Sequence, residues 1–126
     1  SLLIGSRYLH NEGFRSTFAR RFGGKAIAFL LNILFCGCKI TDPTSGMRLM
    51  DRKAIEFFSD IYPYDFPEPI SLAWAIRGGL TVRECGVQMR SRNNGQSSIL
   101  GFKTVIYMLR VIGYVILARI IRPIKT

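Results

Sequence analysis

The sequence predicts an α/β fold, in which short strands alternate with helices. Two observations lead to this prediction. Apolar residues recur at helical spacing in several segments, whereas shorter segments are compact apolar runs or alternate apolar with polar residues, as strands do. Glycine and proline clusters separate these segments and mark the expected ends of helices and strands.

The first predicted strand covers residues 1–7, where a Leu-Leu-Ile run ends in a Gly-Ser-Arg turn. A helix capped by Ser16 is expected over residues 17–35. Gly23 and Gly24 inside this helix indicate either a bend or the close approach of a ligand or backbone. Further along we expect a strand over 46–50, helices over 53–58 and 70–77, and a strand over 80–89. The proline- and aromatic-rich segment 61–69 is expected to be irregular.

The C-terminal segment is predicted to form one long apolar helix over residues 99–121, ended by Pro123. About 20 apolar residues span a bilayer, but Arg110 near the middle of this helix would cost roughly 2.5–3.5 kcal/mol on insertion. Lys103 shares a face with Arg110, so we expect the helix to lie in a membrane interface or against a core. The predicted organisation is a domain over residues 1–98 and an interfacial helix over residues 99–126.

Composition narrows the function classes. With 126 residues the chain is one domain at most, and its start inside an apparent strand suggests a fragment of a longer protein. The net charge of +10 favours anionic partners. Because the basic residues are scattered and 48% of the chain is hydrophobic, a membrane surface or phosphate pocket fits better than nucleic acid. Three cysteines and a single histidine indicate a reducing compartment and no cysteine metal site.

Three short turns combine charged and small residues in a way that suits phosphate and sugar binding. They are Gly-Ser-Arg-Tyr at 5–8, Asp-Pro-Thr-Ser-Gly-Met-Arg at 42–48 and Arg-Asn-Asn-Gly-Gln-Ser-Ser at 92–98. Arginine is the residue best suited to bidentate contacts with oxyanions. The possible phosphate-binding arginines are Arg7, Arg20, Arg90 and Arg92, each of which also fits an ordinary surface charge.

Three charged residues in or near these turns have either a structural or a functional interpretation, or more than one possible partner. Asp42 either caps its own turn or presents a carboxylate to a substrate hydroxyl, a lysine or a metal-bound donor. Arg48 is expected to alternate with Met47 and Leu49 on a strand, with Asp42 and Asp51 as its possible ion-pair partners. Glu68 lies between two prolines before a helix, where a negative charge is electrostatically favourable, or it is a general base held by rigid backbone.

The order of these motifs resembles the family 2 glycosyltransferases. The similarity is greatest to the polyprenyl-phosphate sugar transferases (dolichyl-phosphate mannose synthase-like) and to bacterial cell-surface polysaccharide relatives, and it runs over nearly the whole chain. It implies a GT-A, Rossmann-like fold, a nucleotide-sugar donor, and Mg²⁺ or Mn²⁺ held by an Asp-x-Asp motif. This chain contains no Asp-x-Asp. The resemblance is therefore to the C-terminal, acceptor-side half, with the metal ligands mostly outside it.

The resemblance also assigns roles to residues. Arg7 and Arg20 match arginines that help to hold acceptor or donor phosphate, and Asp42 matches the carboxylate at the floor of the active site. The loop that closes on the diphosphate corresponds to Arg92, Gly95 and Ser97. Relatives often have Ser-Lys where this chain has Ser97-Ser98, and Phe where it has Met47. Glu68 falls near the base of members that act on sugar acceptors.

The expected parent protein transfers a sugar to a polyprenyl phosphate or a cell-surface glycan at the cytoplasmic face of the membrane. The chain alone is expected to be inactive, because the Asp-x-Asp half is absent. Two other classes compete with this hypothesis. One is a basic membrane-surface module without catalysis, and the other is a nucleic-acid-binding module. Arginines around one cleft would favour the transferase, and a continuous basic stripe would favour nucleic acid.

Overall fold

The computed structural model describes residues 1–9, 18–35, 39–88 and 102–121. Within these ranges the chain is mixed α/β, as the sequence predicts. It contains three strands and four helices, in the order β1 (Leu2–Ser6), α1 (Phe18–Leu34), β2 (Arg48–Met50), α2 (Arg52–Asp60), α3 (Pro67–Arg77), β3 (Val82–Gly86) and α4 (Phe102–Ile120).

The three strands form one mixed sheet in the order β2-β1-β3. β1 pairs antiparallel with β2, with Leu3 opposite Leu49, and parallel with β3, with Leu3 opposite Arg83. The parallel pair brings the carboxyl ends of β1 and β3 to the same edge. In open α/β sheets, this is the edge where ligands bind.

One face of the sheet packs against α2 and α3. Leu2 and Ile4 of β1 are buried there with Phe58 of α2 and Leu72 of α3. Asp51 caps α2, since its side chain accepts a hydrogen bond from the amide of Ala54 at 2.9 Å. These contacts form the first of two hydrophobic clusters.

The second cluster lies between α1, α3 and α4. Ile27 and Leu31 of α1 pack with Ala73 of α3 and with Val111 and Val115 of α4. Helix α3 contributes to both clusters and is buried over most of its length. The helix predicted over 70–77 begins earlier in the structure, at Pro67. Its start includes part of the segment expected to be irregular, because proline fits the first turn of a helix.

The structure does not support the predicted long apolar helix over residues 99–121, although a helix is present in this region. Helix α4 runs from Phe102 to Ile120, and none of the helices in the described ranges is both long and apolar enough to cross a membrane. One face of α4 is packed in the second cluster. The boundary expected at residue 98 falls outside the described residues.

The opposite face of α4 is an exposed apolar stripe. Its residues recur at helical spacing along the whole helix: Phe102, Val105, Ile106, Leu109, Ile116, Leu117 and Ile120. The exposed cations Lys103, Arg110 and Arg119 also lie on α4, which contains no acidic residue. We call this surface the α4 stripe.

The glycines provide a first testable prediction about stability. Helix α1 continues through Gly23 and Gly24, and a Cβ on Gly23 would lie 2.6 Å from the Met108 sulfur, so the helix pair is close here. A Cβ on Gly24 would meet nothing within 4 Å, so alanine fits there. Gly79 has a φ of +79°, a left-handed conformation in which any side chain is strained. We expect Gly24→Ala to stabilise the chain by roughly 0.5–1 kcal/mol and Gly79→Ala to destabilise it by about 1–2 kcal/mol. Urea unfolding of both variants measures this, and the same sign for both would contradict it.

Candidate functional site

An arginine–carboxylate pair lies at the carboxyl end of β1. The Arg7 guanidinium donates to both Asp42 carboxylate oxygens, from Nε to Oδ2 and from Nη2 to Oδ1, each at 2.7 Å. The Arg7 amide also donates to Oδ2 at 3.1 Å, and Thr44 Oγ1 donates to Oδ1 at 3.3 Å. Asp42 is fully buried, whereas the Arg7 side chain is 20% exposed. The hydrogen bond to Asp42 raises the pKa of Arg7, although burial opposes this.

A second carboxylate holds the backbone on which Asp42 sits. Glu84 on β3 accepts hydrogen bonds from the amides of Thr41 and Asp42 at 2.8 and 2.9 Å. Thr41 Oγ1 donates to the other Glu84 oxygen at 2.7 Å. Because the Thr41 hydroxyl donates its one proton to Glu84, it accepts the hydrogen bond from the Ser6 hydroxyl, also at 2.7 Å. Adjacent strands and the Thr41–Asp42 turn are thereby joined in one polar network.

A pocket of about 520 Å³ adjoins this network. Its polar lining includes Tyr8 beside Arg7, Thr41 beside Asp42, and the exposed cations Arg21 and Lys25 of α1. Ala28, Phe29 and Ile40 supply apolar wall. We call this the basic pocket, because two cations line a partly apolar cleft, which suits a phosphate attached to an apolar group.

Asn32 ties the pocket wall to the turn. Its Nδ2 donates to the Ile40 carbonyl at 3.1 Å, and its Oδ1 accepts from the Ile40 amide at 3.0 Å. The pair of bonds fixes Ile40, and with it Thr41, against helix α1. Helix, turn and sheet are therefore held together around the basic pocket.

Arg48 connects the sheet to the start of α3. Its guanidinium donates to the Ser45 carbonyl at 3.1 Å, to Ser71 Oγ and to the Glu68 carbonyl. Arg48 thus does not take the pairing with Asp42 or Asp51 that the sequence left open. Burial lowers its pKa, and the nearby charges of Tyr62, Glu68 and Asp42 partly offset that effect.

Glu68 follows a strained segment of backbone at the start of α3. Phe66 has a left-handed backbone with φ of 49°, which is strained for an aromatic residue before proline. Its ring packs edge-on against Tyr107 of α4, with centroids 4.9 Å apart. Burial raises the pKa of Tyr107, and the charge of Glu68 adds to this. The half-buried Glu68 lies in the first turn of α3, and its carbonyl accepts the hydrogen bond from Arg48.

Replacing Arg48 by lysine tests this connection. Lysine keeps the charge but lacks the fork that serves three acceptors. We expect Arg48→Lys to lower the free energy of unfolding by about 2 kcal/mol, the typical value of hydrogen bonds to a charged group. Arg83→Lys, on the exposed side of β3, is the matched control and should change it by less than about 0.5 kcal/mol. Equal urea midpoints for the two variants would rule this role out.

The Asp42 and Glu84 carboxylates do not fit a divalent cation, because hydrogen-bond donors already surround each of them. Asp42 is surrounded by donors from Arg7 and Thr44, and Glu84 by donors from Thr41 and Asp42. No three histidine, cysteine, aspartate or glutamate side chains in the described ranges come together as a metal site. Any Mg²⁺ or Mn²⁺ that the resemblance implies would need ligands other than these.

The structure brings some predicted site residues together and not others. Arg7 and Asp42 meet directly, whereas Glu68 belongs to the separate arrangement around Arg48. Arg20 lies in the first turn of α1, but its side chain is outside the described part of the structure. The whole of residues Arg90, Arg92, Gly95 and Ser97 is outside it as well.

Sequence reasoning did not single out Arg21, Lys25, Asn32 or Glu84. The first three recur at positions i, i+4 and i+11 and so lie on one face of the predicted helix, which would have marked them as neighbours. Nothing in the sequence marks Glu84 as a partner of the Thr41–Asp42 turn, since that contact joins residues more than forty positions apart.

Comparison with known proteins found no match to this chain among protein-family models, curated proteins or solved structures.

Proposed function

We propose that this chain is the acceptor-side part of a family 2-like glycosyltransferase of GT-A type, and that its basic pocket receives the phosphate of a polyprenyl phosphate. The observation that supports this most is the convergence of Arg21 and Lys25 with Tyr8 and Thr41, beside the Arg7–Asp42 pair. The pocket also lies near the carboxyl end of β1, where ligands bind in α/β folds.

The reaction proposed for the parent protein is a displacement at the sugar. A phosphate oxygen of the acceptor attacks the anomeric carbon of the nucleotide sugar, the bond from that carbon to the diphosphate oxygen breaks, and the nucleoside diphosphate leaves with its electron pair. Mg²⁺ or Mn²⁺, bound elsewhere in the parent, would neutralise the departing diphosphate. Arginine and lysine side chains of this chain would bind and orient the acceptor phosphate.

The surroundings of Asp42 favour a phosphate acceptor over a sugar hydroxyl. A phosphate is already ionised and needs little deprotonation, whereas a sugar hydroxyl needs a base. Asp42 is buried and surrounded by the donors of Arg7 and Thr44. A cell-surface glycan acceptor remains the alternative, and in that case Glu68 would be the base.

Binding of geranyl phosphate to the chain tests the proposed pocket. We expect saturable binding by calorimetry, and a loss of about tenfold in affinity for Arg21→Ala and for Lys25→Ala, since one charge-assisted contact contributes about 1.4 kcal/mol. Lys53→Ala, an exposed cation on α2, is the matched control and should leave the affinity unchanged. Failure of the wild-type chain to bind, or equal losses for all three variants, would refute the pocket.

Transfer itself should require more than this chain. We expect no turnover of nucleotide sugar by the chain alone, because it lacks an Asp-x-Asp motif, and metal-dependent transfer by a longer protein that supplies one. Efficient metal-dependent transfer by the chain alone would contradict this expectation.

A second candidate function, a membrane-surface module at the cytoplasmic face, is favoured by the α4 stripe. Exposed apolar residues along one face of a helix that carries three cations and no acid suit a helix lying in an anionic membrane surface. The two functions are compatible, because an enzyme acting on a lipid phosphate also needs the membrane.

Vesicle binding tests the α4 stripe, and binding of geranyl phosphate distinguishes the two functions. We expect Leu109→Asp with Ile116→Asp on the α4 stripe to abolish binding to vesicles containing phosphatidylglycerol, whereas Ile55→Asp on the exposed side of α2 should not. A module without catalysis would bind vesicles but not geranyl phosphate. Unchanged vesicle binding by the α4 variant would exclude the stripe as the membrane contact.

A further inference from the structure

We infer that Asp42 is a positioning residue and not a base: it holds the Arg7 guanidinium in a fixed orientation beside the basic pocket, and Glu84 in turn holds Asp42. This inference rests on the proposed function for the identity of the ligand, a phosphate group. The orientation of Arg7 by Asp42 in the protein without ligand does not depend on the proposed function.

The hydrogen bonds around Asp42 support this role. A carboxylate has about four lone-pair directions, and four donors reach this one: the Arg7 amide, Nε and Nη2, and Thr44 Oγ1. Three of the four come from Arg7, and the side chain is fully buried. A base must reach a substrate proton within hydrogen-bond distance, and these contacts direct Asp42 towards Arg7 instead.

Arg7 is oriented by several contacts at once. Two of its nitrogens are fixed by the carboxylate, Nη2 also donates to Thr44 Oγ1 at 3.0 Å, and the guanidinium carbon lies 5.5 Å from the centre of the Tyr8 ring. Tyr8 itself lines the basic pocket. A cation that is already oriented before the ligand arrives binds an anion without first losing its own freedom.

Glu84 fixes Asp42 in the same way that Asp42 fixes Arg7, through hydrogen bonds. By accepting from both the Thr41 and Asp42 amides, it fixes the backbone that carries the Asp42 side chain. Glu84 comes from β3 and Arg7 follows β1, so the parallel strand pair sets the distance between them. The orientation of Arg7 therefore depends on a contact between two strands and one turn.

The two roles of Asp42 predict opposite changes in phosphate binding. If Asp42 were a carboxylate facing the ligand, removing its charge would relieve repulsion and strengthen the binding of an anion. If it positions Arg7, the same change weakens binding. We therefore expect Asp42→Asn to weaken the binding of geranyl phosphate and of inorganic phosphate by about tenfold.

A double-mutant cycle shows whether Asp42 acts through Arg7. We expect Arg7→Gln to weaken binding to a similar extent, and the Arg7→Gln/Asp42→Asn chain to bind no worse than Arg7→Gln alone. Unchanged or stronger binding by Asp42→Asn, or losses that multiply in the double variant, would overturn the inference. Tighter binding of geranyl phosphate than of inorganic phosphate would show that the lipid portion also contributes.

A measurement on the free chain keeps the inference testable if phosphate does not bind or if Asp42→Asn does not fold. The Arg7 Nε–H signal in NMR, assigned by its loss in Arg7→Gln, should exchange slowly with water. We expect faster exchange in Thr44→Val and in Glu84→Gln, and no change in Glu56→Gln, an exposed carboxylate on α2. Fast exchange in the wild type, or no effect of Thr44→Val and Glu84→Gln, would overturn the positioning role. Failure of phosphate binding alone would count against the proposed function.

Discussion

Arg7→Ala is expected to lower the free energy of unfolding by about 3–5 kcal/mol, the usual cost of removing one partner from a buried ion pair. The variant would leave the fully buried Asp42 carboxylate without the guanidinium that donates to both of its oxygens at 2.7 Å. An uncompensated charge in the interior costs more than the net contribution of the pair, because the buried carboxylate has lost water and keeps only the amide of residue 7 and the Thr44 hydroxyl as donors. This is a large fraction of the roughly 5–15 kcal/mol by which native proteins are stable.

Chemical denaturation of the chain, followed by circular dichroism, measures this effect. Arg52→Ala is the matched control, since Arg52 also pairs with a carboxylate, Glu56 at 2.8 Å, but at 92% exposure. We expect a change of about 0.5 kcal/mol or less for that exposed pair. Asp42→Asn in the Arg7→Ala background should recover part of the lost stability by removing the buried charge. Equal losses for Arg7→Ala and Arg52→Ala would show that burial of the pair has no energetic consequence.

In the proposed longer transferase, Arg92→Ala is expected to reduce the rate of transfer by about a hundredfold. Arg92 belongs to a Gly/Ser-rich segment whose sequence resembles the loop closing on the diphosphate in family 2 glycosyltransferases. Loss of one preorganised cation from a transition state costs on the order of 3 kcal/mol. Residue 92 is outside the described residues, so this prediction depends on the resemblance alone.

Arg77→Ala is the control for this experiment. Arg77 Nη1 donates to the carbonyls of Ala118 and Ile121 at 2.6 and 2.9 Å, at the C-terminal end of α4. Its loss should lower the melting temperature while leaving the rate per folded molecule near that of the wild type. Initial rates and thermal melts of both variants are needed. A folded Arg92→Ala protein with an unchanged rate would show that the loop is an ordinary turn.

Local patterns in the sequence were sufficient to predict the types of the elements. The apolar spacing that predicted a helix over 17–35 corresponds to α1 at Phe18–Leu34, and the Leu-Leu-Ile run corresponds to β1. Such elements depend on residues within one or two turns of each other, so their signals lie close together in the chain. For α4 the sequence left two placements open, a membrane interface or a core, and hydropathy alone could not show that one face is packed against α1 and α3 while another is exposed.

Pairings within the site could not be predicted in the same way. For Asp42 the sequence offered a turn cap or a substrate-facing carboxylate, and for Arg48 a pairing with Asp42 or Asp51. The structure instead joins Asp42 to Arg7 and Arg48 to the start of α3. Each of these contacts spans 20 or more positions, and every charged residue in a sequence has several possible partners at that distance.

The α/β class, the order of the elements and the basic character of the chain could all be predicted, because they follow from composition and short-range periodicity. Three features became visible only in the folded chain: which cations line a common pocket, which carboxylate holds Arg7, and which face of α4 is exposed. Those outcomes depend on the parallel pairing of β1 with β3 and on the packing of α1 against α4. Both bring together residues distant in the chain, and no local propensity encodes which of them will meet.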